Sequence, residues 1–290
     1  MLVNDLKALF HNQLDAIYGK DEVFTFFFML TEAYSNISRL DVALDINLSI
    51  TKAEQQPFFD ALEQLKQQQP IQYIIGETEF FGLPFKVNSN TLIPRPETEE
   101  LVQLIMDSYT NKASVNNASI LDVGTGSGCI AISLAKNIPK STVHALDVSA
   151  KAIQTASENA MLNQVNVNFL ESSILEDTTW DSVFKDLKFD TIVSNPPYVR
   201  QLEKQAMSAN VLENEPHLAL FVDDDNPLIF YKAITNFALQ YLKPKGELFF
   251  EINEYLGRET VDLLIHSGFE NVQLKQDFFG KDRMVFGRKK

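Results

Sequence analysis

The sequence predicts an α/β protein, a largely parallel sheet with helices on both faces, preceded by a small all-helical domain. Three observations carry that expectation. Apolar residues recur at helical spacing up to about residue 70, strand-like and helix-like runs alternate from Ser119 onward, and a Gly- and Pro-punctuated pair of β-prone runs lies between the two textures. With 290 residues, of which 45% are hydrophobic and 22% charged, the chain has enough apolar material for one large or two ordinary domains.

In the first region Leu2, Leu6, Leu9, Phe10, Leu14, Ile17 and Tyr18 form the stripe of an amphipathic helix. Asp21 is placed to cap a second helix running through Tyr34, and a third short pattern covers Ile37 to Leu44. Thr51, followed three residues later by Glu54, reads as a capping box before Phe58, Phe59, Leu62 and Leu65. Residues 1–70 are thus expected to form a helical domain. Residues 71–93 are expected to form a linker with a β-hairpin, because Glu79-Phe80-Phe81-Gly82-Leu83-Pro84-Phe85-Lys86-Val87 is two β-prone runs around a turn.

Residues 94–290 make the larger domain. Pro94 and Pro96 introduce a helix over Glu97 to Tyr109, where proline's locked φ suits the first turn. Strands are expected at Ile120–Val123, Thr142–Leu146, Val165–Leu170, Phe189–Ser194, Glu247–Ile252, Val272–Gln276 and Arg283–Gly287. Helices are expected at Cys129–Asn137, Ala150–Leu162 (opened by Ser149), Pro227–Leu242 and Tyr255–Ser267. A sheet of this kind binds ligands at the carboxyl ends of its strands, so the chemistry belongs in the strand-to-helix turns.

Composition excludes several classes. Thirty-nine acidic against 25 basic residues give a formal charge of -14, and the first 70 residues alone carry five Lys/Arg against ten Asp/Glu, so a surface that neutralises many phosphates is disfavoured. The single cysteine, Cys129, forms no internal disulfide, and four histidines without partner cysteines offer no zinc-ligand spacing, so no metal is expected. The first residues lack the basic and apolar regions of a signal peptide, and the apolar stretch Val23–Leu30 is far short of the roughly 20 residues that a membrane helix needs. The cysteine usage reads as a reducing cytoplasm, and the expectation is a monomer with no membrane partner and no direct nucleic-acid substrate.

Two turns carry the chemistry. Leu121-Asp122-Val123-Gly124-Thr125-Gly126-Ser127-Gly128 closes a strand and opens a helix, and its glycines let a ligand approach the backbone. The spacing Gly-x-Gly-x-Gly differs from the dinucleotide fingerprint Gly-x-Gly-x-x-Gly, which weakens a dehydrogenase reading. Asp147 ends the next strand about 20 residues on, where an acid can accept from ribose hydroxyls; its alternative task is to cap the helix at Ser149. Together they point to an adenosine-containing ligand.

The second turn is Val193-Ser194-Asn195-Pro196-Pro197-Tyr198. Two prolines stiffen it and leave the Asn195 side chain and the Pro196 carbonyl as acceptors for a planar NH2 group, with Tyr198 placed to cover the planar face. Such a nitrogen is a poor nucleophile because its lone pair is conjugated, and gripping both hydrogens turns that lone pair toward an electrophile. The competing reading is a rigid turn with a solvent-facing Asn195.

With these motifs stand Gln72-Tyr73-Ile74-Ile75-Gly76, Phe80-Phe81-Gly82-Leu83, Leu92-Ile93-Pro94-Arg95-Pro96-Glu97-Thr98-Glu99, Glu215-Pro216 and Asp282-Arg283. Over nearly its whole length the sequence resembles the HemK/PrmC family of S-adenosylmethionine-dependent methyltransferases, which methylate the glutamine of the Gly-Gly-Gln motif in peptide chain release factors. Asn-Pro-Pro-Tyr is shared with enzymes that methylate adenine N6; the Arg-Pro-Glu-Thr-Glu segment and the helical N-terminal domain are the more specific marks.

The resemblance implies a Rossmann-like class I methyltransferase sheet with an antiparallel C-terminal strand. It implies S-adenosylmethionine as cofactor, S-adenosylhomocysteine as product, release factors as protein substrate, and a substrate-docking N-terminal domain. It places Gly124, Thr125, Gly126, Ser127 and Gly128 along the cofactor's methionine part and Asp147 on its ribose, with Ser173 and Ile174 near adenine. Asn195 would touch cofactor and substrate, and Pro196, Pro197 and Tyr198 would hold the glutamine amide, with Asn195, Pro196 and Tyr198 as the catalytic set. Ser173 stands where the family usually has an Asp, and Leu220 is followed by Phe221-Val222-Asp223-Asp224-Asp225 instead of a glycine-rich turn; the acidic run reads as a solvated loop.

Cys129, His217 and the cluster Phe24, Phe26, Phe27 and Phe28 read as packing or loop residues, and Glu251 and Glu254 as strand-end structural residues in preference to an acid-base pair. Glutamine methylation of a ribosomal protein is the nearest rival function. Adenine N6 methylation is opposed by the charge, and a non-catalytic adenosine-binding module leaves Asn195-Pro196-Pro197-Tyr198 without a task.

Overall fold

A computed structural model describes residues 1–110 and 117–290, which divide into two compact units. One comprises residues 1–76 and 208–214, the other residues 77–207 and 215–290.

The first unit contains α1 (Val3–Tyr18), α2 (Lys20–Ser35), α3 (Arg39–Leu44), α4 (Lys52–Lys66) and α5 (Ile71–Ile75). The stripe of α1 buries Val3, Leu6, Phe10 and Leu14 among Val23, Phe27 and Leu30 of α2 and Phe58, Leu62 and Leu65 of α4. Each fully buried side chain of this size contributes about 1.5–3 kcal/mol, so the unit has a core of its own. The Thr51–Glu54 capping box forms, with Thr51 N–H donating to Glu54 Oε2 at 2.7 Å, and a second box joins Ser38 and Asp41. Asp21 is not a cap: Gly19, at φ 83°, ends α1 and directly precedes α2, which leaves Asp21 inside the first turn. There its charge still complements the helix dipole. Residues 71–75, expected in the linker, are helical and end at Gly76 in the left-handed conformation.

The second unit opens with a hairpin of β1 (Glu77–Phe80) and β2 (Leu83–Lys86), turning through Phe81 and Gly82, both at positive φ. It continues with α6 (Pro96–Thr110), β3 (Ser119–Val123), α7 (Cys129–Asn137), β4 (Thr142–Asp147), α8 (Ala150–Leu162), β5 (Val167–Glu171), α9 (Asp177–Phe184) and β6 (Phe189–Ser194). The short β7 (Val199–Arg200) leads into a 3-10 turn at Gln201–Ala206. Next comes α10 (Ala209–Asn214), which groups with the first unit, where Asn214 Nδ2 donates to the Gln68 carbonyl at 3.3 Å. After α11 (His217–Leu220), β8 (Phe221–Val222) pairs in parallel with β7. The chain closes with α12 (Ile229–Tyr241), β9 (Leu242–Glu251), α13 (Gly257–His266), β10 (Glu270–Gln276) and β11 (Asp282–Arg288).

The main sheet has seven strands in the order β10-β11-β9-β6-β3-β4-β5. Neighbours from β9 to β5 pair in parallel, and β11 runs antiparallel to both β9 and β10. This is the expected mostly parallel sheet with an antiparallel C-terminal strand. One face packs Leu101, Val102 and Ile105 of α6 and Ile130 to Leu134 of α7 with Phe80 and Phe85 of the hairpin. The other face packs α9, α12 and α13, with Trp180 edge-on to Phe237 at 5.1 Å and Phe237 stacked on Tyr241 at 4.4 Å. Among the described residues no helix is long and apolar enough to cross a membrane.

Candidate active site

After β3 the chain steps outward through β4 to β5 and then returns to β6 on the other side of β3, so a crevice opens where the direction of winding reverses. A cavity of about 340 Å³ occupies it, walled by the turns that follow β3, β4, β5 and β6 and by residues 89–98 ahead of and within α6.

The first wall is built from backbone. Gly124 and Thr125 donate their N–H groups to the Leu146 carbonyl at 2.8 and 2.9 Å, which ties the glycine turn to the adjacent strand. Asp147 braces the same turn: Oδ2 accepts from Gly126 N–H at 2.8 Å and Oδ1 from Ser149 N–H at 2.9 Å. Its carboxyl is raised by burial, against the lowering pull of those N–H groups. Gly126 lies at φ 56°, and a Cβ placed there meets no atom within 4 Å, so the turn presents bare backbone to open space. Gly128 differs. At φ 83° it starts α7, and a Cβ there would come to 2.8 Å from Ile132 Cδ1 and 3.1 Å from Ala156 Cβ. Gly124, Thr125, Gly126 and Ser127 line the cavity, whereas Gly128 serves helix packing. Beneath the turn, Asp122 is fully buried and accepts from Thr125 Oγ1 at 2.6 Å; burial pushes its carboxyl up to about 7.

Ser172, Ser173, Ile174 and Leu175 close the next side. Ser172 N–H donates to the Asp147 carbonyl at 3.0 Å, and Ser173 Oγ accepts from Leu175 N–H at 3.3 Å. Ser173 thus reaches the cavity with its oxygen already engaged in a local turn.

The far wall follows β6. Ser194 Oγ donates to the Val123 carbonyl at 2.6 Å, clasping the ends of β6 and β3. Asn195, Pro196 and Pro197 line the cavity and Tyr198 does not. Asn195 Nδ2 donates to Thr98 Oγ1 at 3.3 Å, while the Asn195 Oδ1 accepts no hydrogen bond among the described residues. The Tyr198 hydroxyl points instead to Glu251 Oε1 at 3.1 Å, and burial followed by the nearby Glu251 charge holds its ionisation well above the ordinary range. Tyr198 is half-buried, and its ring packs against the core beside α12 and β9. Cys129 borders the cavity as a buried thiol that burial, with Asp122 second, pushes up to about 12, so it is no nucleophile. His217 is exposed at the start of α11, outside the lining.

Sequence reasoning gave no role to Thr98 and only a structural one to Glu251. Glu251 is buried and accepts from Thr98 Oγ1 at 2.6 Å as well as from Tyr198. Burial raises its carboxyl, opposed by Thr98, Arg283 and Tyr198. A second unforeseen pair is Arg95 with the buried Glu215, at 2.5 Å, where Arg95 also borders the cavity. The available signal was a carboxylate directly after an apolar strand, in Phe249-Phe250-Glu251, and another directly before Pro216.

The model of the PrmC N-terminal domain matches residues 25–76, and that of the methyltransferase small domain matches residues 102–221. A release factor glutamine methyltransferase of Flavobacterium psychrophilum is 50% identical over 98% of each chain. The chain belongs to the release factor glutamine methyltransferase family. Its counterpart in Bacteroides thetaiotaomicron is 38% identical over 98% of this chain and 99% of its own. Among solved structures, the Thermus thermophilus 16S rRNA N2 G1207 methyltransferase, in complex with AdoMet and guanosine, superposes with a TM-score of 0.52 at 18% identity, over 74% of this chain and 50% of the other; that likeness shows the shared fold. The enzyme is a methyltransferase that uses S-adenosylmethionine.

The cavity fits that cofactor. Gly126 offers a cradle that a side chain would fill, Asp147 keeps free lone pairs at the end of β4 for hydroxyl donors, and Val123, Leu146, Ile174 and Ile234 supply apolar surface around them.

Proposed function

We propose that this enzyme transfers the methyl group of S-adenosylmethionine to the side-chain amide nitrogen, N5, of the glutamine in the Gly-Gly-Gln motif of peptide chain release factors. The names of the relatives support the release factor as substrate. The observation that carries the glutamine is the far wall of the cavity, where Asn195 Oδ1 stands without a partner among the described residues next to the buried Pro196.

An amide nitrogen resists alkylation because its lone pair is shared with the carbonyl. Asn195 Oδ1 and the Pro196 carbonyl accept its two hydrogens, hold the NH2 plane and leave the lone pair directed into the cavity. Bound S-adenosylmethionine supplies an electrophilic methyl on a positively charged sulfur. The N–C bond would form as the S–CH3 bond breaks, its electron pair leaving with sulfur as S-adenosylhomocysteine. The nitrogen then gains positive character, the two acceptors stabilise the N–H dipoles that develop, and one N–H proton departs to solvent. No side-chain base is needed before attack. In the same reading Gly124, Thr125, Gly126 and Ser127 hold the methionine part, Asp147 the ribose, and Ser173 and Ile174 the adenine. Pro197 keeps the turn rigid, and the helical first unit docks the protein substrate. The setting is translation termination in the cytoplasm.

Incubation with labelled S-adenosylmethionine and purified release factors, ribosomal proteins and RNA, followed by mapping of the label, tests the assignment. The expected product is methylglutamine within Gly-Gly-Gln. Label confined to a ribosomal-protein glutamine or to adenine would overturn it.

A further inference from the structure

We propose that Thr98 is a positioning residue that sets the polarity of the Asn195 carboxamide, so that Oδ1 and not Nδ2 faces the substrate; this rests on the glutamine reading above. A primary carboxamide has two ends of nearly equal size and opposite hydrogen-bonding sense. Turned one way Asn195 accepts from a substrate NH2, and turned the other way it confronts that NH2 with its own donors. The two prolines that follow stiffen the backbone but do not choose between these states.

The choice is made at Thr98 Oγ1, 3.3 Å from Asn195 Nδ2. A hydroxyl has a single proton, and Thr98 donates its own to Glu251 Oε2 at 2.6 Å. Its oxygen then offers only lone pairs to Asn195, which the NH2 end satisfies and the Oδ1 end does not. Glu251 is kept as the receiver from its other side. Oε1 accepts from the Tyr198 hydroxyl at 3.1 Å, and Arg283, anchored to Asp277 Oδ2 at 3.1 Å, adds a nearby positive charge.

Thr98 is itself held in place. It sits in the first turn of α6, with its N–H donating to the Arg95 carbonyl at 3.1 Å and its side chain buried. Tyr198, which lies outside the cavity, completes the bracket, and its carbonyl accepts from Asn253 Nδ2 at 3.0 Å. Two residues of the Asn-Pro-Pro-Tyr turn thus meet the same carboxylate, Asn195 through Thr98 and Tyr198 directly.

Thr98→Val removes the hydroxyl at nearly constant volume. Its kcat on a purified release factor should fall about tenfold, the scale of one lost hydrogen bond, while cofactor affinity by calorimetry and KM for the release factor stay within about twofold. Thr98→Ser should recover most of the loss. In an Asn195→Ala background Thr98→Val should cost nothing more, since Thr98 acts only through that amide. Thr98→Ala, which puts no methyl against Glu251, gives the same reading if the valine strains the pocket. Wild-type kcat in Thr98→Val and Thr98→Ala, or an equal loss with Asn195 already removed, overturns the polarity role. Absence of glutamine labelling by the unmodified enzyme overturns the parent reading, and this one with it.

Discussion

The two long walls of the cavity are held by different means. The glycine wall is main chain braced by the Leu146 carbonyl and by the side chains of Asp122, Asp147 and Asn159, so all these partners lie within the short span from Asp122 to Asn159. The Asn195 wall is held by side chains from α6 and β9, at separations of 97 residues for Asn195 with Thr98 and 153 for Thr98 with Glu251. A wall of backbone suits a constant ligand such as a cofactor. A wall of aimed side chains suits a reacting group whose hydrogens must be placed.

If that division is right, damage to one wall should affect rate and damage to the other affinity. Asn195→Ala should lower kcat about 10² to 10³-fold, as loss of one oriented polar group does elsewhere, with cofactor affinity retained in calorimetry. Turnover equal to wild type would break the comparison outright. Asp147→Ala should weaken S-adenosylmethionine binding about tenfold or more, since hydrogen bonds to a charged group are the stronger kind. Unaltered calorimetric affinity would contradict the ribose assignment.

Within the glycine wall, Gly128→Ala should lower stability by about 1–3 kcal/mol through the collision with Ile132 and Ala156. Gly126→Ala meets no atom but must adopt a left-handed φ of 56°, so it should cost about 1 kcal/mol of stability and also lose cofactor affinity, and a thermal melt beside a binding isotherm separates the two.

The smallest effect concerns Asp122. Its folded-state carboxyl is raised to about 7 from an ordinary 3.8, so the folded protein holds the proton more tightly than the unfolded chain. The stability this group permits is whole below the ordinary value and is lost as pH rises through about 7. Asp122→Asn should therefore melt higher than wild type near about pH 8, and the gap should close by about pH 4. A constant gap across that range would show that the proton is not held.

The legible part of the site is the part whose partners are close in sequence. Gly124 to Ser127 and Asp147 were readable from spacing, and Asn195 from the prolines beside it. Most strands and the long helices were readable as well, because an apolar period needs a segment long enough to repeat. Between Val199 and Val222 the elements have two to six residues, too short to express any period. The Glu251 partner of Tyr198 was not legible, because the direction of a side chain after two prolines depends on what β9 and α12 bring to meet it. Likewise, nothing near Thr98 in sequence announces the carboxylate of Glu251.

Trp180 is the chain's single tryptophan, and it is buried in the second unit against Phe237. Indole fluorescence is therefore an optical reporter for the cofactor-bearing unit alone, while the first unit, furnished with phenylalanine and tyrosine, stays dark under selective excitation. Melting the protein by indole emission and by far-ultraviolet dichroism in parallel would reveal whether the two units lose structure in one cooperative event or in succession.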